Sequence, residues 1–331
     1  MKKFDVFGIG NALVDCVCLV SDSFLDDNNI EKGLMTIVDD KKQKSIIEKI
    51  KDTDPFIQSG GSVPNSIYTL SNLGGSGYLS FLISNDSYGN LYLNDIKKSG
   101  INTADKKYFF GDGMTGSCLV LTTPDAERTM NTCLGASSNF SIKNINFDDL
   151  KLSRYLYIEG YLVTSDVAIE AIKKSISFSI ENDVKISLTF SDLSMVKYFR
   201  EKFLNILNNK IDLLFCNQEE AKIFTGENDF KKCCEKMLEY SELVVITKGD
   251  KGSLIISNSG ENIEIEPKNV TPLDTVGAGD TYAGAFLYGI NNGLSLRKSG
   301  ELASSLSSKV VTKLGPRLDK NVINGIKQTM I

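Results

Sequence analysis

The chain has 331 residues, with 37 Lys and Arg against 42 Asp and Glu and no histidine, for a net charge of -5. That length, with 41% apolar residues, suits one large α/β domain or two smaller ones. Lacking a dense Lys/Arg run, it is not expected to bind nucleic acid or an anionic membrane.

The missing histidine also excludes Ser-His-Asp and Cys-His catalysis and any histidine base, so acid–base work falls to Asp, Glu, Lys, Tyr or Cys. The cysteines Cys16, Cys18, Cys118, Cys133, Cys216, Cys233 and Cys234 are odd in number and form no C-x-x-C pair. Reduced thiols in or near the core are expected. The N-terminal "MKKFDVFGIG" is broken by Asp5 and is a poor signal peptide. No apolar run approaches the roughly 20 residues of a membrane span, so a cytoplasmic protein is expected.

In chain order, "FDVFGIG" (Phe4–Gly10) reads as a strand, followed by "NALVD" up to Asp15. The segment Cys16–Asp39 is long and mixed. "GGSVPNS" (Gly60–Ser66) reads as a glycine-rich turn into a helix, with Ser62 as a possible cap. "GDGMTGSCLVLTTPDAERTMNT" (Gly111–Thr132) alternates like hairpin strands. Further strands are expected at Tyr155–Gly160, Val184–Phe190, Ile211–Asn217, Leu243–Gly249, Gly252–Ser257 and Glu261–Pro267. Helical spacing occupies Ser165–Ile180, Met195–Leu207 and Asn228–Ser241. Nearly continuous apolar strands alternating with helices imply a doubly wound, mostly parallel α/β sheet flanked by helices. The two segments that break the rhythm, about 14–40 and 105–130, are read as strands that leave the main sheet and form a small β lid on a single domain spanning 1–331.

The last element carries the chemistry. In "DTVGAGDTYAGAF" (Asp274–Phe286) three small residues, Gly277, Ala278 and Gly279, precede Asp280 at the start of a helix. Free N–H groups at a helix N-terminus, with the positive end of its dipole, make an anion site. The same dipole favours an ionised Asp280. An acid beside an anion site fits phosphoryl transfer, one activating a hydroxyl and the other holding the transferred group. Taken alone, Asp280 also reads as an ordinary helix cap. A dinucleotide fingerprint at Gly8 and Gly10 fails, because the third glycine position is Leu13.

The Asp274–Phe286 stretch resembles the C-terminal signature of the ribokinase, or PfkB, family of carbohydrate and nucleoside kinases. The resemblance implies that Asp280 is the catalytic base and that Gly277, Ala278 and Gly279 form the anion hole. It extends in order to "GIGNALVD", where Asp15 would hold a vicinal diol of the substrate. "GGSVPNS" resembles the family's Gly-Gly-x-x-x-Asn block, so Gly60 and Gly61 would let backbone approach a sugar and Asn65 would bind it; Pro64 is unusual there. "NQEEA" resembles the Asn-x-x-Glu element, implying that Asn217 and Glu220 place Mg²⁺ through water. "TKGDKGS" implies contacts from Thr247, Gly249 and Gly252 to the phosphates of ATP. "LGPR" (Leu314–Arg317) fits the family's C-terminal end.

Within the family, "GIGNALVD", "GGSVPNS" and "YIEGYLVT" are most similar to adenosine kinases, which makes Asn11 and Leu13 candidates for holding a purine. The position after the glycine of "YIEG", aromatic in those kinases, reads Tyr161-Leu162, and Tyr161 is the candidate. Arg128, in the lid, would neutralise phosphate charge; a solvated surface arginine is the alternative. The implied reaction is ATP-dependent phosphorylation of a primary hydroxyl, adenosine to AMP. The alternative acceptor is ribose, fructose or a related sugar. A binding protein of this fold that has lost catalysis is disfavoured by the intact Asp280 and its loop. A monomer or a homodimer paired through the lid edge is compatible with the chain.

Overall fold

The computed structural model describes residues 2–50, 54–125 and 127–330. Its strands are β1 (Phe4–Ile9), β2 (Leu13–Leu19), β3 (Met35–Ile37), β4 (Phe56–Gly60), β5 (Gly77–Ser80), β6 (Gly116–Thr122), β7 (Arg128–Cys133), β8 (Ser153–Glu159), β9 (Lys185–Thr189), β10 (Ile211–Asn217), β11 (Ser241–Thr247), β12 (Ser253–Ser257) and β13 (Asn262–Ile265).

Eight of these make the main sheet, ordered β13-β12-β11-β10-β9-β8-β1-β5. It is parallel from β5 to β11, with β12 and β13 antiparallel at one edge. The apolar runs are buried on both faces. In β10, Leu213 and Phe215 join one hydrophobic core while Leu214 and Cys216 join the other. That two-sided burial removes the polar alternation a half-exposed strand would show. The chain leaves β1 for β5 on one side and returns to β8 on the other, so a topological switch lies at the C-terminal ends of β1 and β8.

The five remaining strands form a second, mixed sheet in the order β3-β7-β6-β2-β4. Strands from both rhythm-breaking segments lie in it, with different bounds from those read in the sequence. Phe56–Gly60 adds a fifth strand, whereas Lys106–Phe109 is a short helix whose Phe109 belongs to the main core. Ala126 lies outside the described residues. The period of two sorts β2 cleanly. Val14, Cys16 and Cys18 pack outward against Leu25 and Ile46, while Leu13 and Val17 face Val276 with Cys118 and Val120. All seven cysteines are free and buried. No helix among the described residues is long and apolar enough to cross a membrane.

Candidate active site

The two sheets enclose a cleft of about 630 Å³ over the C-terminal ends of the parallel strands. The helix Ala278–Asn291 enters at its floor, with Gly277 as the preceding left-handed residue (φ 75°). A Cβ on Gly277 would sit 2.5 Å from the Pro316 carbonyl oxygen, so both conformation and space demand glycine. Among the described residues the Gly277 and Gly279 N–H groups have no acceptor, while the Ala278 N–H reaches the Thr275 carbonyl at 3.4 Å. Below the loop, buried Asp274 accepts from the Val276 N–H at 3.0 Å and the Gly315 N–H at 2.9 Å, fixing its shape.

Gly279 differs from Gly277. It is exposed, and a Cβ built on it would meet nothing within 4 Å. No packing among the described residues requires glycine there. Gly279→Ala should therefore melt within a degree or two of the parent, since a fitting Ala in a helical first turn is neutral or better. It should still raise KM for MgATP by about tenfold, as a methyl group blocks close approach. An unchanged KM would mean that the loop does not meet the phosphates at Gly279.

Asp280, in the first turn, is partly buried at the cleft floor. Its Oδ1 accepts from Ser62 Oγ at 2.6 Å and its Oδ2 from Asn65 Nδ2 at 3.0 Å. Burial pushes its carboxyl above the ordinary range, against the pull of those two bonds and of the Arg128 and Arg317 charges. Ser62 is thus more than a turn residue. The cap of the helix Ser62–Asn72 is Gly61, which makes no side-chain bond. Pro64 falls in that helix's first turn, where its missing N–H removes no intrahelical bond.

Asp15 projects from the cleft face of β2 and is 5% exposed. Burial pushes its carboxyl up to about 7; Arg317 and Arg128 pull it down, and Asp280 and Asp274 push it up. Of the glycine pair, Gly61 lines the cleft and Gly60 does not. Gly60 lies behind Asp15, and a Cβ on it would fall 2.1 Å from Asp15 Oδ2. At Gly61 (φ 94°) a Cβ would fall 2.1 Å from the Asn11 carbonyl oxygen. The pair makes room for the protein's own Asp15 and Asn11.

Asn11 leads to a residue that sequence reasoning missed. Glu159, the last residue of β8 and fully buried, accepts from the Asn11 N–H (3.1 Å), Asn11 Nδ2 (3.0 Å) and the Val63 N–H (2.9 Å). Burial raises it to about 8 even so. It ties the ends of β1 and β8 to the helix Ser62–Asn72, and the Asn11 Oδ1 oxygen has no hydrogen-bond partner among the described residues. An acid ending an apolar parallel strand was the available signal.

At the other end of the cleft, Asn217 and Thr247 stand side by side on paired strands β10 and β11. Asn217 and Glu220 form a reciprocal capping box, each backbone N–H bound at 2.8 Å by the other's side chain. Glu220 is pushed up to about 7 by burial and by neighbouring Asp192, a second acid missed in the sequence. Gly249 and Gly252 form the turn into β12. A Cβ on Gly252 would lie 2.1 Å from the Ile265 carbonyl oxygen, so its glycine serves the fold. Arg128 reaches from β7 across the cleft, its Nη1 donating to the Thr275 carbonyl at 3.3 Å. Tyr161 lines the cleft, whereas Leu162 is buried in the core.

All of the sequence-predicted residues except Gly60 therefore meet in one cleft. Over residues 40–322 the chain matches the description "pfkB family carbohydrate kinase". Adenosine kinase from Saccharomyces cerevisiae is 24% identical over 328 residues, 93% of this chain and 95% of that one. The structure of adenosine kinase from Sinorhizobium meliloti superposes with a TM-score of 0.93 at 28% identity, covering 99% of both chains. A protein described as a probable sugar kinase, from Rhizobium etli CFN 42, superposes with a TM-score of 0.94 at 29% identity over 100% of both. A sheet of this topology, a glycine-rich helix start carrying an acid, and a family match over most of the sequence lead to one conclusion: the chain belongs to the pfkB family of carbohydrate kinases, phosphotransferases with an alcohol acceptor.

Proposed function

We propose that the acceptor is a purine ribonucleoside, adenosine in the first instance, phosphorylated on its 5′-hydroxyl by ATP. The observation that carries this reading is the cleft's apolar wall on the side of the second sheet, Leu13, Met35, Ile37 and Met130 with adjoining Leu134, together with Tyr161 in the same lining. A free sugar presents hydroxyls all round and leaves such a wall unmatched. A ribonucleoside offers a polar ring to Asp15 and Asn65 and an apolar, stackable base to the wall and to Tyr161. Asn11 Oδ1 accepts from the nucleoside.

In this reading Asp15 accepts from the ribose diol, and Asp280 takes the proton of the primary hydroxyl. The amides of Gly277 and Gly279 receive charge from the transferring phosphoryl group, joined by Arg128. Thr247, Gly249 and the Gly252 turn border the donor, whose base lies among Pro267, Val270, Pro272 and Val311. The second sheet covers the acceptor and excludes water, the competing nucleophile.

For Mg²⁺ the donor set fits: Glu220 and Asp192 are neighbouring acids at the cleft wall, and the Glu220 carboxyl is raised by burial and by a like charge that a cation would offset. Asn217 and Glu220 would hold the ion through water, and bound Mg²⁺ supplies charge neutralisation to the phosphates.

The test is ADP release with MgATP against adenosine, other ribonucleosides, ribose and fructose. Turnover on adenosine at a kcat/KM at least about 10²-fold above the sugars is expected, in line with loss of a buried base contact. Preference for a free sugar would overturn the assignment of the apolar wall and of Asn11, Leu13 and Tyr161 to a base, while leaving the transfer chemistry in place.

A further inference from the structure

The turn 313–317 lies next to the cleft without lining it, and it ends in the most deeply buried cation among the described residues. Arg317 is 2% exposed, its guanidinium 4.8 Å from the centre of the Tyr68 ring. Its Nε donates to Asn65 Oδ1 at 2.8 Å, and Nη1 pairs with Asp95. Nη2 is buried without a partner among the described residues. A buried guanidinium with one orphaned donor is a poor stabiliser, since desolvation offsets most of what its bonds return. Its contacts point elsewhere. With Oδ1 held by Arg317, the Asn65 amide has a single orientation, and its Nδ2 is the group that donates to Asp280 Oδ2.

The same turn is anchored on three sides. The Gly315 N–H is held by Asp274, Pro316 packs against Gly277, and Gly315 abuts Phe56 and Gln58 of β4. Arg317 thereby sits at a fixed distance from both the anion loop and the second sheet.

We infer that Arg317 is a positioning residue for phosphoryl transfer, acting through the Asn65 amide to orient the Asp280 carboxylate and keep it ionised. This rests on the reading of Asp280 as the base. The groups facing Asp280 are Ser62 and Asn65 from one helix, Asp15 from β2, Arg128 from β7, Tyr157 and Glu159 from β8, Tyr161 just beyond β8, and Arg317. Those facing Asp15 are Arg317, Arg128, Asp274 and Asp280. In this set Arg128 belongs to the lid and Arg317 to the body, so Arg317 is the cation that remains whatever the lid does.

The experiment is the pH profile of kcat and of kcat/KM for the acceptor in Arg317→Met, Arg317→Lys and Asp280→Asn, with melting curves alongside. Arg317→Met should move the acid limb up by about one pH unit and lower kcat about tenfold or more, with KM for MgATP within about twofold. Arg317→Lys should return the limb towards the parent position but not kcat, because a lysine restores charge without the guanidinium's grip on Asn65. An Arg317→Met enzyme with the parent profile, or one that loses only MgATP affinity, overturns the inference. Should Arg317→Met fail to fold, a parent-like kcat in Arg317→Lys overturns it alone, and a lowered kcat at an unmoved limb supports it. Near-normal turnover in Asp280→Asn would instead sink the underlying base assignment, so the two failures are separable.

Discussion

Asp280→Asn should bind MgATP almost as the parent does and turn over about 10²–10⁴-fold more slowly, the range of a lost general base. The amide matches the carboxylate in size, and one of its ends still accepts from Ser62 or Asn65, so the helix start and the anion loop keep their shape. What disappears is the capacity to take a proton. The parent's bonds at 2.6 Å and 3.0 Å leave the carboxylate oriented but with lone pairs for one further hydroxyl. Because burial raises the Asp280 carboxyl, the acid limb of kcat should lie above the ordinary carboxylate range. Calorimetry with a non-hydrolysable ATP analogue and steady-state kinetics separate the two effects. Parent-like kcat would remove Asp280 from its role.

The second large effect falls on the acceptor alone. Asp15→Ala should lower kcat/KM for the nucleoside by roughly 10²–10⁴-fold, two charge-assisted hydrogen bonds at about 1.5–3 kcal/mol each, and leave KM for MgATP within about twofold. With its carboxyl pushed up to about 7, Asp15 is half-protonated near neutrality, so the acceptor KM of the parent should rise as pH falls below about 7. The stability consequence has the opposite sense. The carboxyl is raised on folding from 3.8 to about 7, so the folded state binds the proton more tightly, and the ionised group opposes folding above pH 3.8. Asp15→Asn should then melt higher than the parent at pH 8, with the gap closing as pH falls from about 7 towards 3.8. An unchanged acceptor KM in Asp15→Ala would remove the diol contact; a lower melting point for Asp15→Asn at pH 8 would show that the charge is better compensated than its surroundings indicate.

The elements that sequence reading recovered best are those whose signal is local. Ile211–Asn217 was legible to the residue because Leu213–Cys216, buried on both faces, is an unbroken apolar run ended by polar Asn217. The helix Phe230–Tyr240 was legible because its apolar stripe faces one core. By contrast, β4 was missed. Its sequence FIQSG is short, has no alternating pattern, and becomes a strand only because β2 pairs with it.

The site divides along the same line. Asp280, Asp15, Asn65, Asn217 and the glycine loop stand at chain positions where a turn meets a strand or helix end, and a residue type plus its neighbours marks such a place. Glu159 and Arg317 carried weaker marks, an acid at the end of an apolar strand and a tetrapeptide, LGPR, that says little by itself. Each acquires its surroundings from partners 148 and 252 positions away. Composition, periodicity and motif spacing were enough to specify a mostly parallel α/β fold with an acid at a glycine-rich helix start, since each depends on contacts within a few residues; that it is a kinase was implied by the resemblance of that motif to the PfkB family. Which glycines the fold itself requires, which of Tyr161 and Leu162 faces the cleft, and which buried cation bonds Asn65 were settled by long-range packing. Burial and hydrogen-bond partnership across the chain exist only once the two sheets have closed on one another.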